Sequence, residues 1–136
     1  MHDREELILR ARESLGRAYA PYSGYAVSAA ILAEGEIFTG VNVENASYGL
    51  TICAERAAAV AAVTAGKRRF DAIAIAVGKG RATPCGACRQ FLREFGLNYP
   101  VYLVAEDGIV TTFTLEELLP ESFGPEFLDM EGRDDL

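Results

Sequence analysis

The chain has 136 residues, half of them apolar and 24% charged, which fits one ordinary globular domain spanning 1–136 and excludes a disordered or fibrous polymer. Thirteen basic against 20 acidic residues give a net charge of −7, and the basic residues are scattered, so nucleic acid is excluded as a partner for want of a basic stripe. The opening M-H-D-R-E-E-L-I-L-R lacks the apolar run of a signal peptide, and no stretch approaches the roughly 20 apolar residues of a membrane span, which predicts a cytoplasmic protein with no membrane partner.

In chain order, residues 3–19 read as a first helix: Asp3 and Glu6 have capping-box spacing, and Leu7, Ala11, Leu15 and Ala18 or Tyr19 recur at helical intervals before Pro21. Two strand-like runs, 25–32 and 36–42, flank an A-E-G turn and predict an antiparallel hairpin. From Cys53 to Gly66 an alanine-rich run predicts a second helix. It has almost no polar face after Arg56, so it should be buried on more than one side and meet another subunit. Residues 70–77 and 101–105 are short apolar runs of the kind covered on both faces, with a third helix between Pro84 and Gly96. Strand, helix, strand is a crossover that implies parallel pairing. Asp107-Gly108 turns the chain into 109–114, and Thr114 with Glu117 caps a short helix before Pro120. The expected fold is α/β, a mixed five-stranded sheet between helices.

Cys53, Cys85 and Cys88 are the only cysteines, an odd number that a disulfide framework does not explain. Cys53 opens the second helix; Cys85 and Cys88 open the third at i and i+3, on one face. Both helices should run back from the same end of the sheet, so the three thiols can converge on a soft divalent metal, zinc. Three protein ligands leave one tetrahedral position for water, as in catalytic rather than structural zinc sites. His2 is the only residue placed to close that shell, and it sits at the terminus. Zinc lowers the pKa of bound water towards about 7, and Glu55, two residues after a ligand, supplies a proton carrier. Arg56, with Arg89 as a second candidate, would offset the charge of three thiolates. One buried cysteine alone would read as a small core residue; the coincidence of C-x-E with P-C-x-x-C is what points to metal chemistry.

With these motifs the chain resembles the small homotetrameric cytidine deaminases within the zinc-dependent deaminase fold, whose signature allows a three-cysteine variant. The resemblance covers A-Y-A-P-Y-S (18–23), N-V-E-N-A-S-Y (42–48), T-I-C-A-E-R-A-A (51–58), P-C-G-A-C-R-Q (84–90) and L-L-P-E-S-F-G-P (118–125), most of the chain. It implies a three-layer α/β/α architecture and hydrolysis of cytidine and 2′-deoxycytidine to uridine and 2′-deoxyuridine in pyrimidine salvage. One Zn²⁺ would be held by Cys53, Cys85 and Cys88, with Glu55 as proton shuttle. Asn42 and Glu44, which alternate along an extended segment, would bind the ribose hydroxyls. Tyr25, where the family usually has Phe, would wall the base, and Ala54 would line the site. Ala46, Tyr48 and Phe123 would reach a neighbouring subunit's pocket in a homotetramer. Ser28 replaces the usual Gly and needs space and a hydrogen bond within a buried layer. The negative charge of Glu44 favours a free nucleoside over a phosphorylated one. Two other readings stand beside this one: a zinc deaminase for another cytosine-like substrate such as blasticidin S, and a structural zinc or redox module built on Cys85 and Cys88.

Overall fold

Asp3 starts the first helix, its carboxylate accepting the Glu6 N–H at 2.9 Å. The computed structural model describes residues 3–128. Among them the elements are α1 (Arg4–Ser14), β1 (Val27–Ala33), β2 (Glu36–Val41), α2 (Ala54–Thr64), β3 (Ala72–Val77), α3 (Gly86–Arg93), β4 (Pro100–Val104), β5 (Val110–Thr114) and α4 (Leu115–Leu118). Three single 3-10 turns, Leu15–Arg17, Tyr48–Leu50 and Pro125–Leu128, join or follow them. His2 lies outside the described residues.

The first helix is shorter than the sequence predicts. After a 3-10 turn the chain leaves it because Tyr19 is taken into extended pairing: its N–H donates to the Asn42 carbonyl at 3.0 Å and its carbonyl accepts the Glu44 N–H at 2.8 Å. The first strand likewise begins at Val27 rather than Tyr25. The Asn42 side chain holds the entering chain, accepting the Val27 N–H at 3.0 Å and donating to the Tyr25 carbonyl at 2.8 Å. The predicted Thr114–Glu117 capping box is present at α4.

The sheet order is β2-β1-β3-β4-β5. β1 pairs antiparallel with both β2 and β3, β3 with β4 is parallel as the crossover requires, and β4 with β5 is antiparallel. Two strands antiparallel to the same neighbour run the same way, so β2 and β3 end at one edge. Ser28 pairs there with Val41 on one side and Ala76 on the other. The chain leaving β2 leads to α2 and the chain leaving β3 leads to α3, which is why both helices start at this edge.

Strand alternation sorts side chains between two layers. Ile73, Ile75 and Val77 of β3 join Ala54, Ala58, Ala59 and Ala62 of α2 and Leu92 of α3 on one face. Ala72, Ala74 and Ala76 meet Leu7, Ile8 and Ala11 of α1 on the other. This is the three-layer α/β/α arrangement. Ser28 faces α1, fully buried, and its hydroxyl donates to the Ala11 carbonyl, so the hydroxymethyl has both its space and its hydrogen bond on the far side of the sheet from α2. Within one chain α2 packs on the sheet and on α3 and leaves Val60 54% exposed, a face that the expected contact with another subunit would have to cover.

Gly40 lets α2 lie directly on β2. A Cβ there would stand 2.4 Å from the Ala58 nitrogen and 2.7 Å from the Ala54 carbonyl oxygen, both backbone atoms. The substitution Gly40→Ala is expected to destabilise the fold by at least about 1–3 kcal/mol through overpacking, and to weaken zinc retention by pushing the α2 N-terminus outward. Urea unfolding with a parallel zinc assay checks this; an unchanged midpoint would contradict the close approach.

Candidate active site

Cys53 is the N-cap residue of α2 and Cys85 that of α3. The Cys53 side chain makes no capping hydrogen bond, whereas the Cys85 sulfur accepts weakly from the Cys88 N–H at 3.5 Å. The three sulfurs lie within 4.8 Å of one another. Tetrahedral zinc–thiolate bonds of about 2.3 Å set sulfurs about 3.8 Å apart, so the cluster needs only small adjustment to hold one ion.

One side chain tempers the charge such a ligand set would carry. The Arg56 Nη2 donates to the Cys53 sulfur at 3.3 Å, and its buried Nε has no protein acceptor among the described residues. An arginine placed this way fits a site whose sulfurs are thiolates. Among the protein groups alone, the hydrogen bond from Cys88 and then Arg56 bring the Cys53 thiol down to about 5. The same pairing, with burial, pushes the Cys88 thiol up, and metal ligation would displace its proton. Arg89, the second candidate for charge compensation, is used elsewhere. It donates to the Pro84 carbonyl (2.9 Å), the Leu118 carbonyl (2.6 Å) and the Thr83 hydroxyl (3.0 Å), which fixes the chain just ahead of Cys85.

Glu55 occupies the first turn of α2 and is 4% exposed. Burial is the main reason its carboxyl is held up to about 6, and the negative charge of Cys53 adds to the effect. It lines a cavity of about 210 Å³ together with Cys53, Cys85, Ala54, Tyr25 and Asn42. Val27, Ile75 and Val77 give this space an apolar wall. A larger cleft of about 320 Å³ lies behind the Arg81–Thr83 loop, but none of the three cysteines lines it.

Of the residues singled out in the sequence, Tyr25 lies at this cavity and its hydroxyl finds a partner in the Arg81 carbonyl at 3.4 Å. Asn42 lines it as well, but its amide is committed on both sides to the backbone of Tyr25 and Val27. Glu44 is not among the lining residues. Its carboxylate grips the preceding turn, accepting from the Tyr22 and Ser23 N–H groups at 2.9 and 3.1 Å and from the Ser23 hydroxyl. Ala46, Tyr48 and Phe123 do not line this chain's cavity. Tyr48 is 74% exposed, and Phe123 stacks on Phe127 at 5.5 Å on the surface.

Sequence reasoning missed Thr51, Ile52 and Thr83 at the cavity, and it missed Arg93. That arginine is buried and bonded to the Ser122 hydroxyl (2.8 Å) and to both Glu126 oxygens (2.9 and 2.5 Å), and it packs where a Cβ on Gly124 would be. A basic residue in the last turn of a helix ordinarily reads as a partner of the helix dipole, and nothing local to Arg93 points 30 residues ahead.

Two helix N-termini presenting three thiols, a buried carboxyl beside them and a small cavity in front define a metal-dependent hydrolytic class of protein. The sequence pattern of the cytidine and deoxycytidylate deaminase zinc-binding region matches residues 1–104. A cytidine deaminase of Sporosarcina psychrophila is 44% identical over 93% of this chain and 95% of its own. A probable cytidine deaminase of Dictyostelium discoideum is 46% identical over 96% and 90%. The crystal structure of cytidine deaminase from Burkholderia pseudomallei superposes with a TM-score of 0.85 at 43% identity, covering 90% of this chain and all of that one. The chain belongs to the cytidine and deoxycytidylate deaminase family, whose members bind zinc.

The substitution Cys53→Ala is expected to take bound zinc from about one ion per chain to a small fraction of that after gel filtration. Full retention in a colorimetric zinc assay would contradict the three-thiol site and favour a C-x-x-C module indifferent to Cys53.

Proposed function

We propose that this protein hydrolyses cytidine and 2′-deoxycytidine: water adds, ammonia leaves, and uridine or 2′-deoxyuridine is released, a step of pyrimidine salvage. The observation that carries the reading is a buried glutamate beside three clustered thiols on the wall of a nucleobase-sized cavity. The names of the relatives above support the substrate.

Held by Cys53, Cys85 and Cys88, zinc would supply water acidified towards neutral pH. Glu55 takes a proton from the water and delivers it to N3 of the base as the oxygen bonds to C4, then takes the proton of the new C4 hydroxyl and delivers it to the amine, so that the C–N bond breaks as the C4 carbonyl forms and ammonia leaves. A carboxyl raised by burial suits both tasks better than one at the usual carboxylate value. Arg56 draws charge from Cys53, and Tyr25 with Val27 and Ala54 packs the pyrimidine plane. Asn42 and Glu44 face the sugar.

A free nucleoside is favoured over a nucleotide on two counts. Among the described residues no Lys or Arg lines the cavity. The hydrogen bonds from Ser23 and Tyr22 also hold Glu44 below the usual carboxylate range, so it stays charged and would repel a 5′-phosphate.

The whole chain acts as one domain, and four copies assemble with Ala46, Tyr48 and Phe123 completing neighbouring pockets. The uncovered Val60 face of α2 and the exposed Tyr48, Leu50, Phe123 and Phe127 support this, being more apolar surface than one chain covers. A cytoplasmic setting suits the thiol ligands, since that compartment keeps cysteines reduced.

Purified protein is expected to turn over both nucleosides, followed by loss of cytidine absorbance, as a species of four-chain mass by light scattering. The substitution Glu55→Gln should keep zinc while lowering kcat by about 10²–10⁴-fold or more. Turnover of blasticidin S but neither nucleoside would move the substrate. Retained activity in Glu55→Gln would move the proton carrier, and a monomeric active species would remove the shared pockets.

A further inference from the structure

Next to the cavity, one small side chain joins two residues with different tasks. The Ser23 hydroxyl donates to Glu44 Oε2 and accepts the Tyr25 N–H at 3.0 Å, while the Ser23 N–H donates to Glu44 Oε1. The direction of the hydroxyl bond is fixed chemically, because an ionised carboxylate only accepts and a backbone N–H only donates. The turn beneath is closed by the Gly24 N–H on the Ala20 carbonyl at 2.9 Å, with Gly24 at a φ of 70° that favours glycine.

A carboxylate offers about four acceptor positions. Here the Tyr22 and Ser23 N–H groups take two on Oε1, and the Ser23 hydroxyl takes one on Oε2. Among the described residues what remains open is one position on Oε2, on a group that can no longer rotate without breaking three bonds. Its neighbour in the sequence alternation, Asn42, grips the same segment at Tyr25 and Val27. The stretch 22–27 is therefore held at one end by Glu44 and at the other by Asn42, with Tyr25 between them at the cavity.

We propose that Ser23 is a positioning residue for the substrate: its hydroxyl orients Glu44 so that a single acceptor faces the sugar, and ties that acceptor to the backbone of Tyr25 beside the base. This rests on the reading of Glu44 as the ribose-binding carboxylate. It makes sugar recognition depend on a serine that touches no substrate atom. Loss of the hydroxyl frees Glu44 to swing, which weakens contacts to ribose hydroxyls and leaves the chemistry at C4 to zinc and Glu55.

The test compares cytidine with 2′,3′-dideoxycytidine, which offers Glu44 no ring hydroxyl. Ser23→Ala is expected to raise KM for cytidine about fivefold to tenfold, as for loss of a charge-assisted hydrogen bond, with kcat changed less than about twofold. The dideoxy substrate should lose less than about twofold in kcat/KM, zinc content should stay the same, and Ser23→Thr, which keeps the hydroxyl on an exposed residue, should restore cytidine KM. The parallel Glu44→Ala variant separates the sugar-binding carboxylate from the serine that orients it. If Glu44→Ala penalises cytidine selectively while Ser23→Ala penalises neither substrate or both alike, the positioning role is overturned. If Glu44→Ala itself fails to discriminate between the substrates, the reading beneath it falls and the proposal with it.

Discussion

Everything at this site depends on two helix N-termini meeting at one edge of a sheet. That meeting is a consequence of strand direction. β1 is antiparallel to both of its neighbours, so β2 and β3 both end where β1 begins, and the chains leaving them supply α2 and α3. Thiols at the two caps then fall within 4.8 Å of one another. A cap normally carries a hydroxyl or carboxylate that satisfies the first turn; Cys53 forgoes that bond, and the positive helix end is left to favour a thiolate.

The same geometry sets the environment of Glu55. Alanines at 54, 58, 59 and 62 and the absence of a side chain at Gly40 bring α2 hard against the sheet, which removes Glu55 from water and lifts its pKa. Close packing and proton affinity are thus one device. Arg56 is the counterweight, bonded to a sulfur one turn back. The α1 layer has no part in this chemistry, and Ser28 shows the separation: a polar group deep in the molecule is satisfied by α1 without facing the cavity.

Much of this was legible in the sequence, for identifiable reasons. Strand alternation, Gly and Pro punctuation and the Thr114–Glu117 spacing are local signals, and the elements they predict are present with shifts of a few residues at their ends. C-x-E and P-C-x-x-C carry spacing that only chemistry explains. What stayed hidden is long-range and polar. Arg93 and Glu126 are 33 residues apart, and Glu44 reaches back about 21 to the Ser23 turn. Arg89 could equally have faced the thiols, and only the positions of three acceptors around it decide that it does not. The ends of α1 and β1 moved because Tyr19 and Asn42 pair across more than 20 and 15 residues, a competition no window of local sequence contains.

On the function proposed above, three thiols and a buried glutamate form one catalytic unit around a single ion. The most direct test of this is to strip the protein with a chelator and titrate zinc back while following ammonia release from cytidine. The predicted result is activity that is absent after stripping, rises linearly with added zinc and levels off at one equivalent per chain. Activity that survives stripping, or that saturates at a stoichiometry unrelated to the three-thiol site, would contradict it.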